Sequence, residues 1–437
     1  MEGASKGPTL SKSIPPRSTA DLVRKCSCDG VGYSVVELND VRHVLAAAVP
    51  RKGDTLAEQA DDALRTIEAV LREEATRGSI VNQAVFYSDP EHLNALRHII
   101  RDFYGGDLPA TTYVPQRPCD GRLLAIEALG VGRNFGEVEI VRRSEQVVIA
   151  RHNNIAWVHC GQVAPSPSAE GVFERSLSCF RQMRDLLDRE GIGFEQVIRT
   201  WLYLGDIVGP EGPVQRYQEL NRARSEFYRD YRFGRDPVLS GRPGEGRSKA
   251  EDVATLAGFP ASTGIGSDNN DVLMSCIAFQ SERTGVVVTP LENPRQTSAF
   301  DYPTVYSPKS PQFSRAMALS CGRYATIFVS GTASITQSET QHVGDAAAQT
   351  RETLENIEAL ISDSNLARHG LPGHGATLEG LGFIRVYIKR QEDYERVRAV
   401  CQSRLGDLPT IYAIADVCRP DLLVEIEGMA FSALRDG

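Results

Sequence analysis

Positive charge is in deficit in this chain. Its 437 residues carry 48 Lys and Arg against 57 Asp and Glu, a formal net charge of -9. That balance argues against nucleic acid or an anionic membrane surface as the main partner. A small anionic substrate stays open, because a local Arg cluster matters more than the sum. Long apolar runs are missing as well. No stretch of about 18 apolar residues exists, so no membrane span is expected. The first residues lack the apolar core of a secretory leader, so a cytoplasmic protein is expected. The nine cysteines are odd in number and scattered. Cys26 and Cys28 form a C-x-C, but no second Cys or His pair sits at zinc-finger spacing, so reduced thiols and no metal site are expected. His152 and His159 have no carboxylate partner nearby in sequence and read as ordinary strand or loop residues.

What the chain does have is repetition. The segment LPTIYAIADVCRPDLLVEIEGMAF, Leu408 to Phe431, has two further versions. One is LPATTYVPQRPCDGRLLAIEAL from Leu108, and the other is FPASTGIGSDNNDVLMSCIAF from Phe259. Their opening prolines, Pro109, Pro260 and Pro409, are 151 and 149 residues apart. Near-equal spacing is the mark of tandem duplication. Preceding each Pro is a similar series. In the third unit RYATIFVSGTAS (323–334) reads as a strand, DAAAQTRETLENIEALI (345–361) as an amphipathic helix, GFIRVYIKR (382–390) as a strand and EDYERVRAVCQSRL (392–405) as a second helix. The second unit gives IAWVHCGQVA, GVFERSLSCFRQMRDLLDREG, VIRTWLYLGDI and VQRYQELNRARSEFYRDY in the same order. The first gives VRHVLAAAVP, DTLAEQADDALRTIEAVLREEA, VNQAVFYSD and EHLNALRHIIRDFYGG. Each unit therefore reads as strand–helix–strand–helix–strand, an α/β (α+β) arrangement with helices on one sheet face. The neighbouring units are the obvious cover for the other face.

The expected organisation is a disordered lead-in over 1–30, a first unit over 31–140 and a second over 141–290. A linker plus third unit then fills 291–437. Residues 233–258 are polar and rich in Gly and Pro, and read as an insertion in the second unit. Residues 291–312 hold several Pro and Tyr and are expected to be ordered against the units they join.

One acid breaks the threefold pattern. Aligning the three segments sets Glu425 opposite Ala125 and Leu273. Glu427, by contrast, has an equivalent in Glu127 and reads as structural. One unmatched carboxylate in a thrice-repeated element predicts like modules that share one active site. The first unit then serves as scaffold.

The pattern SGTAS … AAQTRETLENIEAL … VYIK … LP … LLVEIEGMA resembles the Rid (YjgF, chorismate mutase-like) family, whose members are trimers with clefts between subunits. Three such units in one chain look like a trimer fused into an intramolecular pseudo-trimer, expected to be a monomer or a weak homo-oligomer. Rid imine deaminases carry an Arg shortly after the Pro. Here that place holds Thr111, Ser262 and Ile411, so the deaminase anchor is missing. A closer resemblance is to the chorismatase family. It is carried by W-x-Y-L-x-D-I at 201–207, R-Y-x-x-L-N-x-x-R at 216–224, F-P-A-S-T-G-I-G at 259–266, E-N-P-R-Q at 292–296, S-P-x-F-S-R-A at 310–316 and A-D-V-C-R-P-D-L-L-V-E-I-E-G at 415–428. These six stand in order along the chain.

That resemblance implies removal of pyruvate from chorismate with no metal and no cofactor. The product would be 3-hydroxybenzoate, with or without the 4-isomer, or a dihydroxycyclohexadiene carboxylate in a hydrolytic version. It assigns proton donation to Glu425 and places Cys418 where benzoate-forming members have a Cys. Arg315, Arg216, Tyr217 and Arg224 are candidates for the substrate's two carboxylates, since guanidinium groups clamp carboxylates. Gly331 to Ser334 would line the ring pocket. A non-catalytic module that binds a small acid is the reading of a different class. It fits the lost Arg but gives no reason to keep an acid in one copy alone.

Overall fold

A computed structural model describes residues 22–28, 31–74, 76–133, 137–231, 233, 258–281, 285–301 and 310–434. It contains three six-stranded sheets with one shared topology. In the first, Val23–Cys28, Val31–Leu38 and Val41–Ala48 form a meander, which continues into Leu124–Arg133, then Thr76–Tyr87, then Ala110–Val114 at the far edge. The second runs Glu139–Arg142, Val147–His152, Ile155–Val163, Val272–Ser281, Val197–Gly205, Ala261–Ser267. The third runs Val286–Leu291, Ala316–Cys321, Tyr324–Ala333, Val424–Ala433, Leu381–Ile388, Thr410–Ile414. In each sheet the last pair is parallel and the rest antiparallel.

The long helices follow the expected order: α1 (Leu56–Glu74), α2 (Leu93–Tyr104), α3 (Gly171–Asp188), α4 (Arg216–Tyr228) and α5 (Ala346–Ile361). A short α6 (Asp363–Arg368) and then α7 (Tyr394–Leu405) complete the third unit. Helix α5 starts where Asp345 accepts a hydrogen bond from Ala348 N at 3.0 Å, an N-cap. It buries Thr350, Leu354, Ile357 and Ile361, one face at helical spacing. Alternation in Val424–Ala433 sends Val424 and Ile426 to that helix side. The opposite faces of all three sheets meet in one central cluster that includes Phe86, Trp201, Leu273, Phe328, Phe383 and Phe431. The neighbouring units do cover each other's open faces.

The contacts close a ring. Ala110–Val114 of the first unit packs on Ile155–Val163 of the second, Ala261–Ser267 of the second on Tyr324–Ala333 of the third, and Thr410–Ile414 of the third on Val41–Ala48 of the first. Several details correct the sequence reading. Val23–Cys28, assigned to the lead-in, is an edge strand paired with Val31–Leu38; its polar, charged composition hides the strand pattern. Val286–Leu291 belongs to the third sheet, so the unit boundary falls before 286 rather than at 291. The meander strands that widen each sheet to six had gone unread, because the repeat stood out in the helix-bearing half. The insertion at 233–258 lies outside the described residues except at its two ends. The start of the joining segment packs on the third unit: Asn293 donates to Asn356 O at 2.9 Å and Gln296 to Ile335 O at 3.0 Å. No helix among the described residues is long and apolar enough to cross a membrane.

Candidate active site

Glu425 and Glu427 both turn inward from Val424–Ala433, but into different surroundings. Glu427 accepts hydrogen bonds from Trp201 Nε1 at 2.9 Å, Tyr387 OH at 2.8 Å and Arg385 Nη1 at 3.0 Å, and also from Arg199 and Thr263. Those partners hold its carboxyl below the ordinary range despite burial. Arg385 reaches on to Glu127 of the first unit through two nitrogens and to Tyr203 OH at 2.9 Å. Two carboxylates and two guanidinium groups thus cancel in the middle of the ring.

Glu425 stands beside that balanced cluster and is in no ion pair among the described residues. It is 5% exposed. Burial, then the Glu427 carboxylate, push its pKa up to about 8, against the weaker pull of Arg199 and Arg315. An anion here would unbalance the buried charge, so the protonated acid is the resting form at neutral pH. Gly331 is what admits it, since a Cβ at that position would lie 2.0 Å from Glu425 Oε1. Gly331 N donates to Thr263 Oγ1 at 2.9 Å, across the seam between second and third units.

A cavity of about 470 Å³ opens in front of the acid, walled by both units. Helix α4 of the second unit contributes Tyr217, Asn221 and Arg224, three residues on one helical face. Tyr217 fits because Gly264 leaves room; a Cβ there would meet its ring at 2.9 Å. Burial raises its phenol, which stays protonated. Arg224 is 1% exposed. It donates to Asn221 Oδ1 and lies 3.5 Å from Ser262 Oγ, with no carboxylate partner among the described residues. Its Nε and Asn221 Nδ2 have no hydrogen-bond partner there either. A buried guanidinium lacking a counter-ion beside a cavity is a ready receptor for an anion.

Arg315 enters from the other side. The strip that carries it is sewn between units by Ser314 N to Pro260 O at 3.2 Å and Ser330 Oγ to Ser314 O at 2.6 Å. Arg315 Nη2 donates to Thr297 O at 2.8 Å. Its guanidinium and that of Arg224 lie 5.4 and 5.6 Å from the centre of the Phe313 ring. Cys418 sits on the loop that leads into the acid's strand. Gln349 of α5 holds that loop through Asp421 O at 2.9 Å and Leu423 N at 2.7 Å. Burial and the nearby Glu425 push the Cys418 thiol up to about 12, so it is a neutral S–H, a weak donor rather than a nucleophile.

The structure thus gathers Glu425, Cys418, Arg315, Tyr217, Arg224 and Gly331 around one cavity. It does not bring in Arg216 or Ser334. Arg216 is next to Tyr217 on α4 and so points elsewhere, bonded to Gly205 O at 2.8 Å, Glu211 at 2.9 Å and Asn270 O at 3.1 Å. Ser334 alternates away from Gly331, Ala333 and Ile335, which line the cavity, and donates to Gln341 O at 3.2 Å. Asn221, Ser262 and Phe313 had been missed. The first was findable from its helical spacing to Tyr217 and Arg224. Ser262 was noted only as the place without an Arg; Arg224 from the helix approaches that same place.

No family model matches the chain. A solved chorismatase structure superposes with a TM-score of 0.59 at 24% identity, covering 80% of this chain and 93% of that one. This assigns the fold, a ring of three like sheets in one polypeptide. In sequence the chain is 39% identical over 289 residues to the 3-hydroxybenzoate synthase of Streptomyces hygroscopicus, covering 63% of this chain and 76% of that protein. It is 35% identical over 288 residues to the chorismatase of Streptomyces rapamycinicus, covering 64% and 77%. The chain belongs to the chorismatase family.

Proposed function

We propose that this chain cleaves chorismate into pyruvate and 3-hydroxybenzoate, with or without the 4-isomer. The observation that carries the reading is an uncharged, buried Glu425 facing the same cavity as Arg224, which has no carboxylate partner among the described residues. Chorismate bears two carboxylates and an enolpyruvyl ether. Arg224 and Arg315 approach the cavity from opposite sides and suit one carboxylate each. Glu425 donates its proton to the terminal methylene of the enol ether, giving an oxocarbenium ion. An acid with a pKa near working pH is what that step needs. Water adds to this ion and pyruvate departs. A ring that keeps both hydroxyls leaves as the dihydroxycyclohexadiene carboxylate; one that expels water leaves as a hydroxybenzoate. Cys418, a neutral thiol on the cavity wall, favours the second course. The relatives' names support the same reading, one being a 3-hydroxybenzoate synthase.

The third unit is the catalytic one in this scheme, the second supplies the facing wall, and the first is scaffold. The test is purified protein incubated with chorismate, with pyruvate assayed and the ring product separated by chromatography. Pyruvate with an aromatic acid is expected. Pyruvate with the dihydroxy acid alone would assign the hydrolytic outcome, and chorismate bound but unchanged would assign a binding module.

A further inference from the structure

None of the described residues of the first unit lines the cavity, yet one of its side chains reaches the charge cluster behind it. Glu127 accepts from two nitrogens of Arg385, and the remaining terminal nitrogen of Arg385 donates to Glu427. Glu427 lies two positions along the same inward strand face from Glu425. The chain Glu127–Arg385–Glu427 therefore links a unit without an active site to the acid in the seam between the other two. We propose that Glu127 is a positioning residue of that distant site, fixing Arg385 so that the charge beside Glu425 stays balanced and Glu425 stays protonated.

The groups that face Glu425 decide the sign. From its own strand comes Glu427, from the second sheet Arg199 and Thr263, from the 310–315 strip Arg315, and across the cavity Cys418 and Tyr217. Behind Glu427 stand Arg385, Tyr203, Tyr387 and Glu127. Burial raises the Glu127 carboxyl above its ordinary range against the pull of Arg385, so it is the geometry that speaks for its charge. The two-nitrogen contact is that of a carboxylate accepting on both oxygens. Without its negative charge, Arg385 has Glu427 alone to neutralise. The field at Glu425 becomes more positive and eases its ionisation. The acid form is then lost at a lower pH.

This inference rests on Glu425 being the working acid, so its test has one arm that needs no turnover. In the first arm, the infrared carbonyl band of a protonated carboxyl, assigned by its loss in Glu425→Gln, is followed against pH in wild type, Glu127→Asp and Glu127→Gln. In the second, the alkaline limb of pyruvate release is measured in the same proteins. A graded acid-ward shift is expected, small for Asp, which keeps the charge but shortens its reach, and about one pH unit for Gln. If the Gln variant does not fold, the Asp shift decides. Lower thermal stability with an unmoved carbonyl titration would make Glu127 merely structural and overturn the proposal. Absence of pyruvate in the wild type would sink the chorismate reading while the infrared arm still judges Glu127.

Discussion

Gln162 and Gly331 hold the same place in the second and third sheets, each donating its N–H across a seam to a threonine hydroxyl, Thr112 and Thr263, and they are used differently. At Gly161 a Cβ would lie 2.8 Å from Thr111 O, so the glycine lets a neighbouring backbone press in. Gln162 then accepts from Tyr113 N at 2.8 Å and stitches that seam shut. At Gly331, where Gln162 has its side chain, the space is taken by the Glu425 carboxyl. The residue aligned with Glu425 in the second sheet, Leu273, is buried in the central apolar cluster, as is Ala125 of the first. Two seams built from like parts thus differ in whether one strand position fills its space with its own side chain, as Gln162 does, or leaves it to an acid, as Gly331 does. Losing the acid from a copy need not alter its fold, because the same strand order tolerates both fillings.

Four experiments break or sharpen that contrast. Glu425→Gln keeps the shape of the open seam and removes its proton, and pyruvate release is expected to fall about a thousandfold; activity within tenfold of wild type would remove Glu425 from the chemistry. Leu273→Glu puts an acid into the closed seam, among the apolar side chains of the central cluster. Denaturant unfolding is expected to show a loss of about 3 kcal/mol or more, and a variant as stable as the parent would mean that the missing acid, not closure, separates the seams. Gly331→Ala should drive the carboxyl out of line and lower kcat about a hundredfold; near-normal kcat would show that the glycine's space is dispensable. The smallest effect is the pH dependence. Glu425 is raised from 4.5 to about 8, so its acid form is fully present at neutral pH and is lost as pH climbs through 8, with activity falling about tenfold per unit beyond it. Between those two values the folded state holds a proton that the unfolded chain has released, so this group's contribution to stability declines as pH rises. Glu425→Gln should be spared that decline, and parallel stability curves for the two proteins would contradict the raised pKa.

Much of this contrast was visible in the primary structure, for identifiable reasons. Three prolines at matching intervals and a helical rhythm such as that of α5 exposed the repeat, and a single unmatched Glu marked the seam that holds the cavity. The edge strands Val23–Cys28 and Val286–Leu291 were not legible, since short meander strands with one partner carry little periodic signal. Arg216 and Tyr217 looked alike as candidates because adjacent residues in a motif give no hint of which side of a helix faces the cavity. Glu427 reads as structural from its twin at Glu127, and in the structure it is held by five side chains. That the two carboxylates share Arg385 was not legible, because contacts between units leave no local pattern.

The ring described above has three seams, and peptide connects the partners across two of them. The cavity in front of Glu425 belongs to a tethered seam: residues between Ser281 and Ala316 join its two walls. In an assembly of separate subunits, such a site would thin out as protein is diluted. Here the walls see each other at a fixed effective concentration set by the tether, so turnover per chain is expected to be the same at nanomolar and micromolar enzyme.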